Sequence, residues 1–180
     1  WSLTGGGVVM FGPGLLAGCR GRAKASPDGA ARGSTATSAP IFSPAQRSVI
    51  AAAAARILPS DDGPGAAEAG CIDAIAQTLA DPYFAYKAPR FRQGADVLEN
   101  LARSQWQNSF VELPAADRDR CLEHLQNGKS DTPAFAGRLF FDDLLVFTVE
   151  GFLGHPKYGG NRNKVGWTFI GYEPGGPGPG

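Results

Sequence analysis

From Ser43 onward, apolar residues recur every three or four positions in five stretches separated by turn-forming residues, a spacing that predicts helices. Ser43-Pro44-Ala45-Gln46 offers an N-cap serine, a proline at the first helical position and a glutamine to close a capping box. Val49, Ile50, Ala53, Ala54 and Ile57 then form one apolar stripe that ends before Pro59. After Ser60-Asp61-Asp62-Gly63-Pro64-Gly65, whose aspartates are expected to cap the next helix, Glu68, Ile72, Ile75, Ala76 and Leu79 mark a second helix stopped by Asp81-Pro82. A third is expected from about Arg92 to Phe110, with Val97, Leu98, Leu101 and Trp106 inward. Leu113-Pro114 opens a fourth, with Cys121, Leu122 and Leu125 on one face and Gly128 as its stop. The fifth starts at Thr132-Pro133. Its Phe135, Leu139, Phe140, Leu144, Phe147, Val149 and Phe152 wrap most of the circumference, as in a central bundle helix. Only Val165 to Ile170 alternates with a period of two, so the fold class is all-α: one bundle of about five helices with irregular ends.

Composition agrees with a single folded middle. With 180 residues and 43% hydrophobic content the chain can bury one core. Its 17 cationic and 17 acidic side chains cancel, so no global field draws it to nucleic acid. Residues 1–19 resemble the apolar region of an export signal, and Leu16-Ala17-Gly18-Cys19 fits a lipobox with Cys19 as the lipidated residue. Gly5, Gly6 and Gly7 keep that segment only moderately hydrophobic, as in twin-arginine signals. No arginine pair is present, and the signal's charged front is expected to precede Trp1. The other reading is an apolar arm that packs on a partner. Residues 20–42 are too poor in large apolar side chains to bury anything and read as a linker. Residues 43–172 form the helical domain, and 173–180 a Gly/Pro tail expected to be disordered.

Catalytic chemistry is thinly represented. Asp142, Asp143 and Glu150 on an apolar helix could raise a pKa for acid catalysis, but helical spacing describes a narrow solvated stripe better, with Asp142 paired to Arg138. Two histidines, His124 and His155, are too few for a zinc or di-iron site, and Asp61-Asp62 supplies too few oxygens for calcium. Cys71 and Cys121 could pair in an oxidising compartment, although buried free thiols are the plainer reading. Tyr158-Gly159-Gly160-Asn161 follows a helix and lacks the Walker pattern, which argues against a phosphate loop.

His155 to Tyr172 stands apart, because its mixture of aromatics, glycines and cations serves neither helix nor strand. It reads as an ordered recognition loop. Tyr158 and Trp167 supply stiff contact area, Asn161, Arg162 and Lys164 carry donors, and Gly159, Gly160 and Gly166 shape the backbone. With His155 these nine residues are the expected partner-binding set. Trp167→Ala or Gly160→Val is then expected to weaken partner binding while leaving the helical signal nearly intact.

Two segments resemble signatures of one family. Ile57-Leu58-Pro59-Ser60-Asp61-Asp62-Gly63-Pro64-Gly65-Ala66 through Glu68-Ala69-Gly70, then Ile72-Asp73 and Ile75, is similar to the first signature of the gluconate 2-dehydrogenase subunit 3 family. Gly151-Phe152, His155-Pro156, Tyr158-Gly159-Gly160-Asn161-Arg162, Gly166-Trp167 and Ile170-Gly171 resemble the second. His155 and Asn163 depart from the acidic or polar residues expected there, which puts charge pairing at both in doubt. The resemblance implies a small, cofactor-free, non-catalytic subunit of a periplasmic dehydrogenase complex. In such complexes an FAD-dependent flavoprotein of the glucose-methanol-choline type oxidises a sugar or sugar acid, and a cytochrome c subunit often takes the electrons onward through haem c, with iron-sulfur as a further carrier. The small subunit would support folding and twin-arginine export of the flavoprotein, with Cys19 adding membrane association. Two other readings stay open on the residues alone: a free-standing periplasmic lipoprotein that only binds, and a small sugar-acting enzyme using Asp142, Asp143 or Glu150.

Overall fold

Seven α-helices account for the apolar stripes in the computed structural model, which describes residues 40–175; the signal-like segment, Cys19 and most of the linker lie outside the described residues. They are α1 (Pro44–Ile57), α2 (Ala66–Ala69), α3 (Cys71–Ala80), α4 (Ala88–Trp106), α5 (Ala115–Gln126), α6 (Gly137–Leu153) and α7 (Val165–Phe169). Short 3₁₀ turns at Ala85–Lys87, Phe110–Glu112, Pro156–Tyr158 and Arg162–Lys164 connect them. No strand occurs among the described residues, and none of their helices is long and apolar enough to cross a membrane.

The α1 cap forms as its residues dictate. Ser43 Oγ accepts from the Gln46 N–H at 3.2 Å, and the Gln46 side chain accepts from the Ser43 N–H at 3.2 Å, so two otherwise orphaned donors are satisfied. Packed order reaches slightly further back than Ser43, since Phe42 is buried and Arg92 Nη1 donates to the Ile41 carbonyl at 3.2 Å.

Helix α6 is the centre, packed against α1, α2, α3, α4, α5 and α7. Phe140 lies edge-on to Phe91 at 5.4 Å between centroids, and Phe147 stacks on Phe91 at 5.5 Å. Such aromatic pairs add about 1 kcal/mol each beyond the area they bury. Gly94 admits the Phe140 ring to the α4 backbone, for a Cβ there would meet ring atoms at 2.6 Å.

Several boundaries differ from the sequence expectation. The second helix is divided at Gly70, whose φ of 70° suits glycine and leaves room for the Arg162 guanidinium, 2.7 Å from where a Cβ would stand. Asp61 and Asp62 are exposed and cap nothing; Glu68 instead reaches back to accept from the Gly65 N–H at 2.9 Å and the Ser60 hydroxyl at 2.7 Å. Those bonds, Ser60's first, hold the Glu68 carboxyl below its usual range. The third helix starts at Ala88 and stops at Gln107 in a left-handed turn, leaving Phe110 in a separate, buried 3₁₀ turn. Helix α6 starts at Gly137, because Thr132 and Phe135 close a tight turn on each other and Asp131 Oδ1 accepts from the Arg138 N–H at 3.0 Å. The expected Asp142–Arg138 pair does not form.

Candidate functional site

The two signature segments, about eighty residues apart in the chain, meet at the end of α6, and glycine is what lets them touch. A Cβ on Gly151 would stand 3.1 Å from the Ala74 methyl and 3.2 Å from Cys71 Cα, so α3 and α6 cross with almost no side chain between them. Gly159, at φ 88°, turns the chain back beside Asp73 and Gln77. Gly160 and Gly166 then press onto the last turn of α6; a Cβ on either would fall far under 3.0 Å from a carbonyl oxygen, of Gly151 and Phe152 respectively.

Asn161 is the latch between them. Fully buried and held at φ 44°, it donates from Nδ2 to the Gly154 carbonyl at 2.9 Å, while Oδ1 accepts from the Gly166 N–H at 2.9 Å. Its own N–H donates to the Gly151 carbonyl at 2.7 Å. Trp167 Nε1 donates to the Leu153 carbonyl at 2.6 Å, and Arg162 joins Arg47 in pairing with Asp73, which ties the loop to α1 and α3. The loop thus supplies partners to carbonyls that a helix C-terminus leaves unmet.

This geometry divides the nine residues expected to bind a partner. Gly160, Asn161, Gly166 and Trp167 face inward and build the junction, with Gly159 half-buried as its turn. His155, Tyr158, Arg162 and Lys164 point outward, Arg162 with its charge already engaged by Asp73. Asn163 and Lys164 are exposed at φ 56° and 60°, a conformation that non-glycine residues adopt only when their surroundings impose it. Val165 to Ile170, alternating in sequence, is helix α7 and its C-cap.

Periodicity alone missed the feature beside the loop. The outward side of α6 carries Leu139, Leu145, Val146, Val149 and Leu153, which sequence patterning assigned in part to the core. Leu153 continues through Trp167 into Ile170 and Tyr172, which line a depression of about 230 Å³. Across α6, Tyr83 and Tyr86 are 77% and 69% exposed on a turn fastened to α6 by Phe84 against Phe147 and by Lys87 with Asp143. Apart from Val111, every large apolar residue more than a third exposed among the described residues lies on α6, on that turn or after α6. Exposed apolar side chains concentrated in this way mark a surface suited to covering by another molecule.

The carboxylates do not assemble into a catalytic pair. Asp143 is held by Lys87 and, at 2.7 Å, by Arg90 Nη1, whereas Asp142 and Glu150 stand exposed. No group of three or more His, Cys, Asp or Glu is placed to hold a metal ion among the described residues. Cys71 and Cys121 are both free and buried, and burial pushes their thiols up to about 12 and about 11 respectively, with Asp117 adding to the second. A thiol of raised pKa is scarcely ionised near neutrality, and only the thiolate attacks. Iodoacetamide at pH 8 is therefore expected to leave Cys71 and Cys121 unmodified in the folded protein and to alkylate both in denaturant, as read by peptide mass mapping. Labelling of either in the folded protein would contradict that burial.

A helical unit whose most elaborate segment is an internal latch, beside an uncovered apolar surface, belongs to the class of proteins built for association. The chain is a member of the gluconate 2-dehydrogenase subunit 3 family, whose model matches residues 44–175. No curated protein and no solved structure matches it.

Proposed function

We propose that this chain is the non-catalytic small subunit of an FAD-dependent sugar or sugar-acid dehydrogenase complex. In this reading it binds the glucose-methanol-choline type flavoprotein, supports its folding and accompanies it through twin-arginine export to the periplasm. A cytochrome c subunit would complete the complex, and lipidation at Cys19 would hold it near the membrane. Family membership supports the reading at the level of a dehydrogenase subunit. The observation that carries it further is the uncovered apolar side of α6, continuous with the rim of the loop.

The test is co-purification of the chain with its flavoprotein after co-expression. Val146→Arg with Val149→Arg places two charges on that surface at exposed helical positions where arginine is well tolerated. The double variant should recover at least about tenfold less flavoprotein, equivalent to about 1.4 kcal/mol of binding, while its circular dichroism and melting remain unchanged. Undiminished recovery would place the interface elsewhere. Turnover of a sugar with a dye acceptor by the purified chain alone would overturn the non-catalytic assignment.

A further inference from the structure

A groove of about 320 Å³ opens between α3 and α6, alongside the apolar surface just described. Ala74 and Thr78 form one wall, Gly151 and Gly160 leave its floor bare of side chains, and the rim carries Phe84, Tyr158, His155 and Glu150. Glu150 takes part in no ion pair and no side-chain hydrogen bond among the described residues, although three cations stand on neighbouring segments. Lys87 and Arg90 are engaged by Asp143, and Lys157 lies over its neighbour Tyr158, with Nζ 4.8 Å from the ring centroid. That last contact shows the Tyr158 ring already placed to hold a positive charge.

We infer that this groove receives one basic side chain, an arginine by preference, from the flavoprotein, an inference that rests on the proposed function. The carboxylate supplies charge and the aromatic rim supplies π faces, above a floor that Gly151 and Gly160 close by packing against α3 and the α6 backbone. An arginine answers both at once, since its planar guanidinium can donate from its edge to both oxygens of a carboxylate while an aromatic ring covers its face. A purely apolar side chain would leave the carboxylate facing a partner surface without a counter-charge, which costs binding energy once water is excluded.

The experiment measures affinity between the full chain and its flavoprotein at low and at high salt. Glu150 is exposed and holds no partner within the fold, so Glu150→Gln preserves shape and folding while deleting the charge. It should weaken binding about tenfold at low salt and flatten the salt dependence; Glu150→Lys should weaken it further, and Glu150→Asp should restore part of the loss. Tyr158→Ala should lower affinity without altering the salt dependence. If wild type binds and Glu150→Gln binds equally well at every salt concentration, the groove takes no cation, and the small-subunit assignment stands without it. If wild type does not bind the flavoprotein at all, both fall together.

Discussion

Gly160→Ala should lower the melting temperature by roughly 10 °C, the effect of about 3 kcal/mol in a domain of this size. The added methyl would collide with the Gly151 carbonyl oxygen, a backbone atom inside α6 that cannot swing aside as a flexible side chain can. Relief requires the loop to lift, and lifting it breaks the Asn161 N–H bond to that carbonyl and draws Asn161 out of its buried site. Gly166→Ala should behave alike through the Phe152 carbonyl. Gly171→Ala is the control for conformation without collision: φ there is 69°, yet nothing lies within 4 Å of a new Cβ. Its cost should be near the roughly 1 kcal/mol that a left-handed backbone imposes on an L-residue. Equal melting temperatures for the Gly160 and Gly171 variants would refute the close approach. Gly160→Val, the larger version of the same clash, therefore tests the fold before it tests an interface, and Trp167→Ala likewise removes the indole donor from the Leu153 carbonyl.

Asn161→Ala should cost about 3 kcal/mol, because it strands the buried Gly166 N–H and places alanine at a left-handed angle. Asn161→Gly separates these contributions, since glycine accepts the angle and should recover about 1 kcal/mol. Asn161→Asp isolates the donor: the carboxylate still accepts from Gly166 N–H but now faces the Gly154 carbonyl, which it can satisfy only when protonated. Burial beside that carbonyl raises the aspartic acid's folded pKa above its unfolded value. The folded state then holds the proton more tightly, so the variant's deficit is full above the folded pKa, shrinks as pH falls through it, and is smallest below the unfolded pKa. Urea unfolding of the three variants at neutral and acidic pH gives the answer; a pH-independent deficit in Asn161→Asp would rule out the latch geometry.

How much of this was legible in the sequence varies by element. The Ser43 cap and the α1 stripe were read correctly because both depend on residues within one turn of each other. Cys121, Leu122 and Leu125 were placed on the buried face of α5 for the same reason. The break at Gly70 is a local left-handed cap that glycine permits; what the sequence could not show is that the Arg162 guanidinium, from the other signature segment, stands where a Cβ would. Nor could it show the division of α6, whose Phe140 and Leu139 look equally apolar on paper. Only the placement of α1, α3, α4 and α5 around the helix decides that Phe140 is buried and Leu139 half exposed.

The loop from His155 to Tyr172 separates the two kinds of information most clearly. Sequence by itself marked it as a distinct ordered segment but misjudged its backbone: two 3₁₀ turns and helix α7 occupy most of it, because its glycines permit the sharp turns that join such short helical pieces and leave no long period to read. It determined the all-α class and the family signatures too. Tertiary structure decided which way each residue faces: asparagine and tryptophan carry hydrogen-bonding groups equally suited to a partner or to the open end of a helix. Here the unmet carbonyls of α6 lie within reach, so Asn161 and Trp167 turn inward, and Tyr158, Glu150 and the outer α6 side chains remain for what binds from outside.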